Sequence, residues 1–490
     1  MTSAETQKAG LRVLFAASEA EPFARTGGLG DVAGSLPRAL KDAGTQVAVI
    51  MPKYSCLAAG VRESLQPVAT FTVELGWRQQ YCGIEKLERD GLTYYFVDNE
   101  YYFKRDKGLY GYYDDGERFA YYAKAICEAV NTVPELACDV IHCNDWQTAL
   151  VPVYLKTSYG EDSPCSNVST VFTIHNVKFQ GCYDKDILDN VLGIPSASEA
   201  GRNLTTSYEA ANYMLGALRY TNFITTVSPT YAQEIQTPTY GEGLDQEFRN
   251  RAEQLRGILN GIDCDAWNPE TDTFLTKTFS AKKPAGKAAC KAALQKELGL
   301  AEDAATPLVV MVTRLTEQKG LSLVRASIER MMATGLQLAV LGTGDAEQEE
   351  AFTALARRYP GQMSTTIAFD NALSHRMYAG ADMLLMPSAF EPCGLSQMIA
   401  LRYGTVPVVR ETGGLKDSVV PYKPGSKKSN GFSFPNMDPN QLAETMEYAC
   451  DLYKKKPKSW ETLRKHAFRT NLGWLESAKD YQGIYELIAR

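Results

Sequence analysis

Twice in this chain a short apolar run leads into a pair of adjacent glycines and then into a helix-like segment. The first block is LRVLFAASEAEPFARTGGLGDVAGSLPRAL, residues 11–40, and the second is TVPVVRETGGLKDSVV, residues 405–420. In the first, a strand-length continuous apolar run precedes Leu29, Val32, Leu36 and Leu40 at helical spacing, and QVAVIMP follows. That order reads as β-α-β with a parallel sheet buried on both faces. Two such blocks near the two ends of the chain predict a protein of two similar halves.

The strand signal recurs in DVIHCNDW, VSTVFTIHN and NFITTVSPTYAQEI, each running into a polar or glycine-containing turn. It restarts after residue 306 in TPLVVMVTRL, LQLAVLGTG, TTIAF, ADMLLMPS and TVPVVRE, separated by helix-length segments. Residues 280–306 are rich in Lys, Ala and Pro. The expected division is therefore 1–277, 278–465, and a C-terminal helix within 466–490, carrying Trp474, Tyr481 and Tyr485, that packs back on the first domain. The predicted fold class is α/β, two Rossmann-like doubly wound domains facing each other across a deep cleft. Ligands of such sheets bind at the carboxyl ends of the strands.

Composition removes several function classes. With 44% hydrophobic and 22% charged residues in 490, the chain has ample core. A formal net charge of -7 argues against nucleic acid or an anionic membrane as main partner. The eleven cysteines never form a CxxC pair, so no zinc or thioredoxin motif is expected, and their odd, dispersed count suits a reducing, cytoplasmic setting. MTSAETQKAG lacks the basic and apolar regions of a leader, and no later run reaches the roughly 18 apolar residues of a membrane span.

RTGGLGDV is neither GxGxxG nor GxxxxGK[ST], so neither a dinucleotide dehydrogenase nor a P-loop enzyme is announced. Gly27 and Gly28 in front of a helix start instead suit close approach of a phosphate to backbone N–H groups. VLGTGDAEQ, with Gly344, and RETGGLKDS place the same device twice in the second half. Arg314 and Lys319 of TRLTEQKG stand just past a strand end. Cations with helix N-termini are what a diphosphate leaving group requires, because they neutralise charge that grows as its bond breaks.

Together these segments resemble the bacterial glycogen synthase and plant starch synthase family, retaining glucosyltransferases of GT-B architecture. The likeness runs in order through SEAEPFARTGGLGDV, CNDWQTAL, FTIHNVKFQG, TVSPTYAQEI, GILNGIDCDAWNP, TRLTEQKGL, LGTGD, SHRMYAGADMLLMPSAFEPCGLSQ, RYGTVPVV and TGGLKD. It implies transfer of glucose from ADP-glucose to the non-reducing 4-hydroxyl of an α-1,4-glucan. The first domain would take the glucan acceptor and the second the nucleotide-sugar donor. The resemblance implies that Glu391 supports the reacting centre and that His175 and Asp145 hold glucose hydroxyls. Arg314 and Lys319 become the diphosphate clamp, helped by Gly28 and by Cys393, Gly394, Leu395 and Ser396. Phe369 becomes the ring under the base, while Arg25, Gly27, Asp31, Asn260 and Gly344 fall at further donor positions. No metal and no cofactor are expected, since the cationic side chains do a divalent ion's work.

Three positions depart from the family pattern. Arg25 stands where Lys is usual, Ala389 where Arg precedes FEPCGL, and Ile399 where some relatives place a second glutamate. Arg25 and Ala389 keep open a silent glucan-binding homologue, and another GT-B transferase is the second alternative. Among the four histidines, His142 reads as packing, and a His142, Cys143, Asp145 metal site is disfavoured because strand neighbours point to opposite faces. Cys393 reads as a small packing residue, its thiol open to alkylation only if exposed. The segment DNEYYFKRDKGLYGYYDDGERFAYYAKA offers either glucan-stacking rings or aromatic core.

Overall fold

The computed structural model describes residues 10–489, and the stretch MTSAETQKA, read above for a leader, lies outside them. Two compact units form. One runs up to Asn260 and includes the chain from Trp474 onward; the other is Gly261–Gly473. Among the described residues no helix is long and apolar enough to cross a membrane.

The first unit is built on a nine-stranded sheet in the order Leu255–Gly257, Phe223–Thr226, Ser169–Ile174, Val140–Asn144, Arg12–Ala16, Gln46–Pro52, Leu92–Asp98, Arg78–Arg89, Gln66–Leu75. The first seven are parallel, and the last two form an antiparallel hairpin on one edge. All five strand-like runs of the first half are strands. The hairpin eluded the pattern because its outer strand is mostly exposed or half-buried and lacks a continuous apolar run. From Arg12–Ala16 the chain moves to Gln46–Pro52 on one side and later to Val140–Asn144 on the other, so the strand order reverses at the carboxyl ends of Arg12–Ala16 and Val140–Asn144. Helix Gly28–Asp42 covers one face with Leu29, Val32, Leu36 and Leu40 buried.

The second unit has six parallel strands, in the order Met363–Ile367, Gln337–Gly342, Leu308–Val312, Met383–Met386, Val406–Arg410, Phe432–Phe434. Five match the expected runs; the sixth is only three residues long. Here the order reverses between Leu308–Val312 and Met383–Met386. Val309, Met311, Leu338, Val340, Met383 and Leu385 form the core with the covering helices.

The unit boundary falls ahead of the expected residue 277. Residues 261–279 belong to the second unit because Trp267 stacks on His375, ring centroids 4.1 Å apart, and Asp272 meets His375 Nδ1 at 2.7 Å and the Tyr403 hydroxyl at 2.5 Å. Burial pushes the Asp272 carboxyl up, but those two partners outweigh it and hold it below the usual range. The 466–490 segment divides likewise. Residues 466–469 end helix Pro457–Arg469 of the second unit, whereas helix Leu475–Ile488 belongs to the first, with Tyr481 and Tyr485 buried.

The tyrosine-rich segment is mainly core. Tyr102, Tyr121 and Tyr122 are fully buried, while Tyr101 and Tyr113 stay exposed.

Candidate functional site

In each unit the predicted residues gather at the carboxyl ends of that unit's own strands. In the first, the loop after Arg12–Ala16 carries Arg25, Gly27 and Gly28, with Asp31 in the first turn of the following helix. Gly27 is extended, and a Cβ built on it meets nothing within 4 Å. Neither backbone conformation nor protein packing demands glycine there, so the space in front of it is open to a ligand. Arg25 pairs with Asp31 at 3.2 Å. Burial pushes the Asp31 carboxyl up to about 6, against the pull of Arg25. Sequence reading missed Glu19, which is buried and accepts from Thr26 N–H at 2.5 Å and Thr26 Oγ1 at 2.8 Å, tying down the glycine loop. Burial raises it to about 6. Its signal was an acid just past the end of an apolar strand.

Asp145 follows strand Val140–Asn144 with φ 56° and ψ -179°, a region costly for any residue but glycine. Its Oδ1 accepts from His175 N–H at 2.7 Å. Burial raises this carboxyl to about 7, and the backbone donors of His175 and Asn176 temper the rise. His175 is the first residue after strand Ser169–Ile174, its Nε2 2.9 Å from Asn144 Oδ1, and burial lowers the ring to about 3, so it is neutral. Asn260 is buried and its Oδ1 has no hydrogen-bond partner among the described residues. Such an acceptor can take a hydrogen bond from an ordered water or from a ligand. His142 packs as expected, between the Tyr485 hydroxyl at 2.7 Å and Thr173 Oγ1 at 2.6 Å.

In the second unit, Glu391 is buried on the loop after Met383–Met386, and its Oε2 accepts from Lys319 Nζ at 2.6 Å and Ser388 Oγ at 3.0 Å. Lys319 comes from the loop after Leu308–Val312, the other side of the switch point, and Arg314 lies exposed on that same loop. Gln318 and Ala389 bind the two loops through their backbones at 2.9 Å. Gly394 has φ 73°, and Leu395 and Ser396 open the following helix. Cys393 is buried, which makes its thiol a packing group. Gly344 and Phe369 sit past the two outer strands; Phe369 is 90% exposed, free to stack on a flat ligand.

The second glycine pair does different work from the first. A Cβ at Gly413, φ 43°, would collide with the carbonyl of Glu391, and one at Gly414 with that of Cys393. These glycines seat the Glu391 loop. Arg410, just before them, is buried and donates to the carbonyls of Ser388 at 2.7 Å and of Ala389. A cation thus braces the loop although Ala389 lacks one. Sequence reading missed Arg410, whose signal was a charge at the end of an apolar strand.

Two open α/β sheets, each with charged groups gathered at its own strand-order reversal, are the parts from which a glycosyltransferase of the GT-B fold is built, and the likenesses to known proteins place the chain in that class. Residues 12–250 match the family described as starch synthase catalytic domain, and residues 295–466 that described as glycosyl transferases group 1. The chain is 48% identical to a glycogen synthase of Geobacillus thermodenitrificans over 98% of both chains, and 47% identical to one of Alkaliphilus metalliredigens over 97% of this chain and 99% of that one. The catalytic domain of starch synthase IV from Arabidopsis thaliana, bound to ADP and acarbose, superposes with a TM-score of 0.90 at 34% identity, covering 98% and 99% of the chains. A sucrose-phosphate synthase from Thermosynechococcus elongatus shares the fold, with a TM-score of 0.59 at 17% identity over 98% and 99%. The chain belongs to the glycogen synthase family.

Proposed function

We propose that this protein transfers glucose from ADP-glucose to the non-reducing 4-hydroxyl of an α-1,4-glucan with retention of configuration. The observation that carries the reading is the buried Glu391 clasped by Lys319 at the second unit's switch point, with Arg314 on the same loop as Lys319. Binding of ADP and acarbose by the starch synthase IV relative supports the choice of donor and acceptor chemistry.

The transition state of such a transfer carries positive charge on the sugar and extra negative charge on the departing diphosphate. Arg314 and Lys319 meet the second, with the backbone at Gly394, Leu395 and Ser396, while Glu391 serves the first. Withdrawal of Lys319 toward the diphosphate would leave the Glu391 carboxylate less neutralised as the sugar charge develops. Phe369 stacks on the base, Gly27 and Gly28 admit the donor, and Asp31 and Asn260 complete its contacts. Gly344 shapes the adjacent loop, since a side chain there would strike the carbonyl of Leu315. His175 and Asp145 hold the hexose. Arg25 keeps a positive charge near the glycine loop. The eleven cysteines are all free thiols, which supports a cytoplasmic setting.

Incubation with labelled ADP-glucose or UDP-glucose and glycogen tests the reading. Incorporation preferring ADP-glucose is expected; glycogen binding without incorporation from either donor would overturn it. Glu391→Gln and Lys319→Ala should each lose about 100-fold or more in kcat, the effect of removing about 3 kcal/mol of transition-state stabilisation, with folding intact. Wild-type turnover in either folded variant would remove that residue from its role.

A further inference from the structure

Asn144 is the last residue of strand Val140–Asn144 and its side chain is wholly buried. Its Nδ2 donates to the carbonyls of Ala16 at 3.0 Å and His142 at 3.2 Å. Carbonyl oxygens only accept, so these two contacts settle which end of the amide is nitrogen. The other end, Oδ1, faces His175 Nε2 at 2.9 Å. An amide oxygen likewise only accepts, which requires the proton on Nε2. The ring is neutral, so it has one proton, and Nδ1 is left with a lone pair. His142 forms the contrast within the same sheet. Both its ring nitrogens meet hydroxyls, which donate or accept, so either tautomer satisfies it.

We propose that Asn144 is a positioning residue that locks His175 in the Nε2–H tautomer, so that Nδ1 accepts a hydrogen bond from a hexose hydroxyl and disfavours any group that cannot donate one. This deepens the glucosyl-transfer reading and rests on it for the identity of the hydroxyl-bearing ligand. The physical basis is the asymmetry of polar recognition: a site built to accept from a hydroxyl leaves its acceptor unpaired, or facing another lone pair, when the hydroxyl is replaced.

The tautomer is read directly from the full-length protein labelled with 15N-histidine. With four histidines the ring resonances are few, and His175→Gln identifies those of His175 by their loss. At pH 7, a protonated Nε2 and an unprotonated Nδ1 are expected; a protonated Nδ1 would overturn the proposal. Donor analogues supply the second readout. ADP-glucose carrying hydrogen or fluorine in place of the 3-, 4- or 6-hydroxyl is compared by Kd in the absence of glucan, where the inductive effect of fluorine on the positively charged transition state does not enter. At one position fluorine should cost at least threefold more than hydrogen, because it brings lone pairs toward Nδ1, and Asn144→Ala should narrow that gap. Absence of such a position in the wild type would also overturn it. Failure of the glucosyl-transfer reading shows separately, as no turnover of ADP-glucose, whereas the nitrogen spectrum needs no substrate and decides the tautomer even if Asn144→Ala does not fold.

Discussion

Single side chains in this protein are set by what buries them. Asp145 has an ordinary carboxyl on a costly backbone, and burial moves it to about 7. Its folded value lies above the unfolded one, so the native state holds more protons than the unfolded chain between about pH 4 and 7. That contribution to stability is full below the unfolded value and is lost as pH rises through the folded one. Asp145→Asn keeps an oxygen for the His175 N–H and cannot ionise. Urea unfolding at pH 5 and pH 8 should therefore show wild type losing a few kcal/mol relative to this variant at the higher pH, since each pH step between the unfolded and folded values is worth about 1.4 kcal/mol. Parallel pH dependence in the two proteins would contradict the burial account. Two of the residues that matter at this scale, Glu19 and Arg410, went unread because their strand ends were legible but their partners, Thr26 and the carbonyls of Ser388 and Ala389, are brought to them only by folding.

At the scale of elements, the same two letters, GG, do two different things. Gly27 is extended, with open space before it, whereas Gly413 takes a positive φ against the carbonyl of Glu391. Gly27→Ala should fold with stability within about 0.5 kcal/mol of wild type and raise KM for the donor, because its Cβ enters ligand space. Gly413→Ala should cost about 2 kcal/mol or more and lower kcat by displacing the Glu391 loop. Thermal unfolding alongside donor kinetics separates the two, and matched behaviour would refute the distinction. Strand–turn–helix order was legible from continuous apolar runs, which is how buried parallel strands read. The edge hairpin of Gln66–Leu75 and Arg78–Arg89 was not, because its side chains are sorted between core and solvent only by pairing.

At the scale of the whole molecule, the strap of residues 261–279 is held to the second unit by the Asp272, His375 and Tyr403 cluster with Trp267 stacked above it. Asp272→Ala strands two buried partners and should destabilise by about 2–4 kcal/mol, seen as a lowered Tm; an unchanged Tm would show that the strap is held elsewhere. Treatment with EDTA should leave glucosyl transfer unchanged, since the clamp on the diphosphate is proposed to be Arg314 and Lys319, and loss of activity restored by a divalent ion would refute that. The sequence alone determined the two doubly wound halves, the family and the positions at which polar groups end apolar strands, because periodicity and motif order are local properties of the chain. Only the tertiary structure decided that Lys319 grips Glu391, that Arg410 braces Ala389, that Asn144 Oδ1 faces Nε2 of His175 and that residues 261–279 join the second unit. Those depend on which strands become neighbours, and strand order arises from packing across long separations that no local pattern encodes.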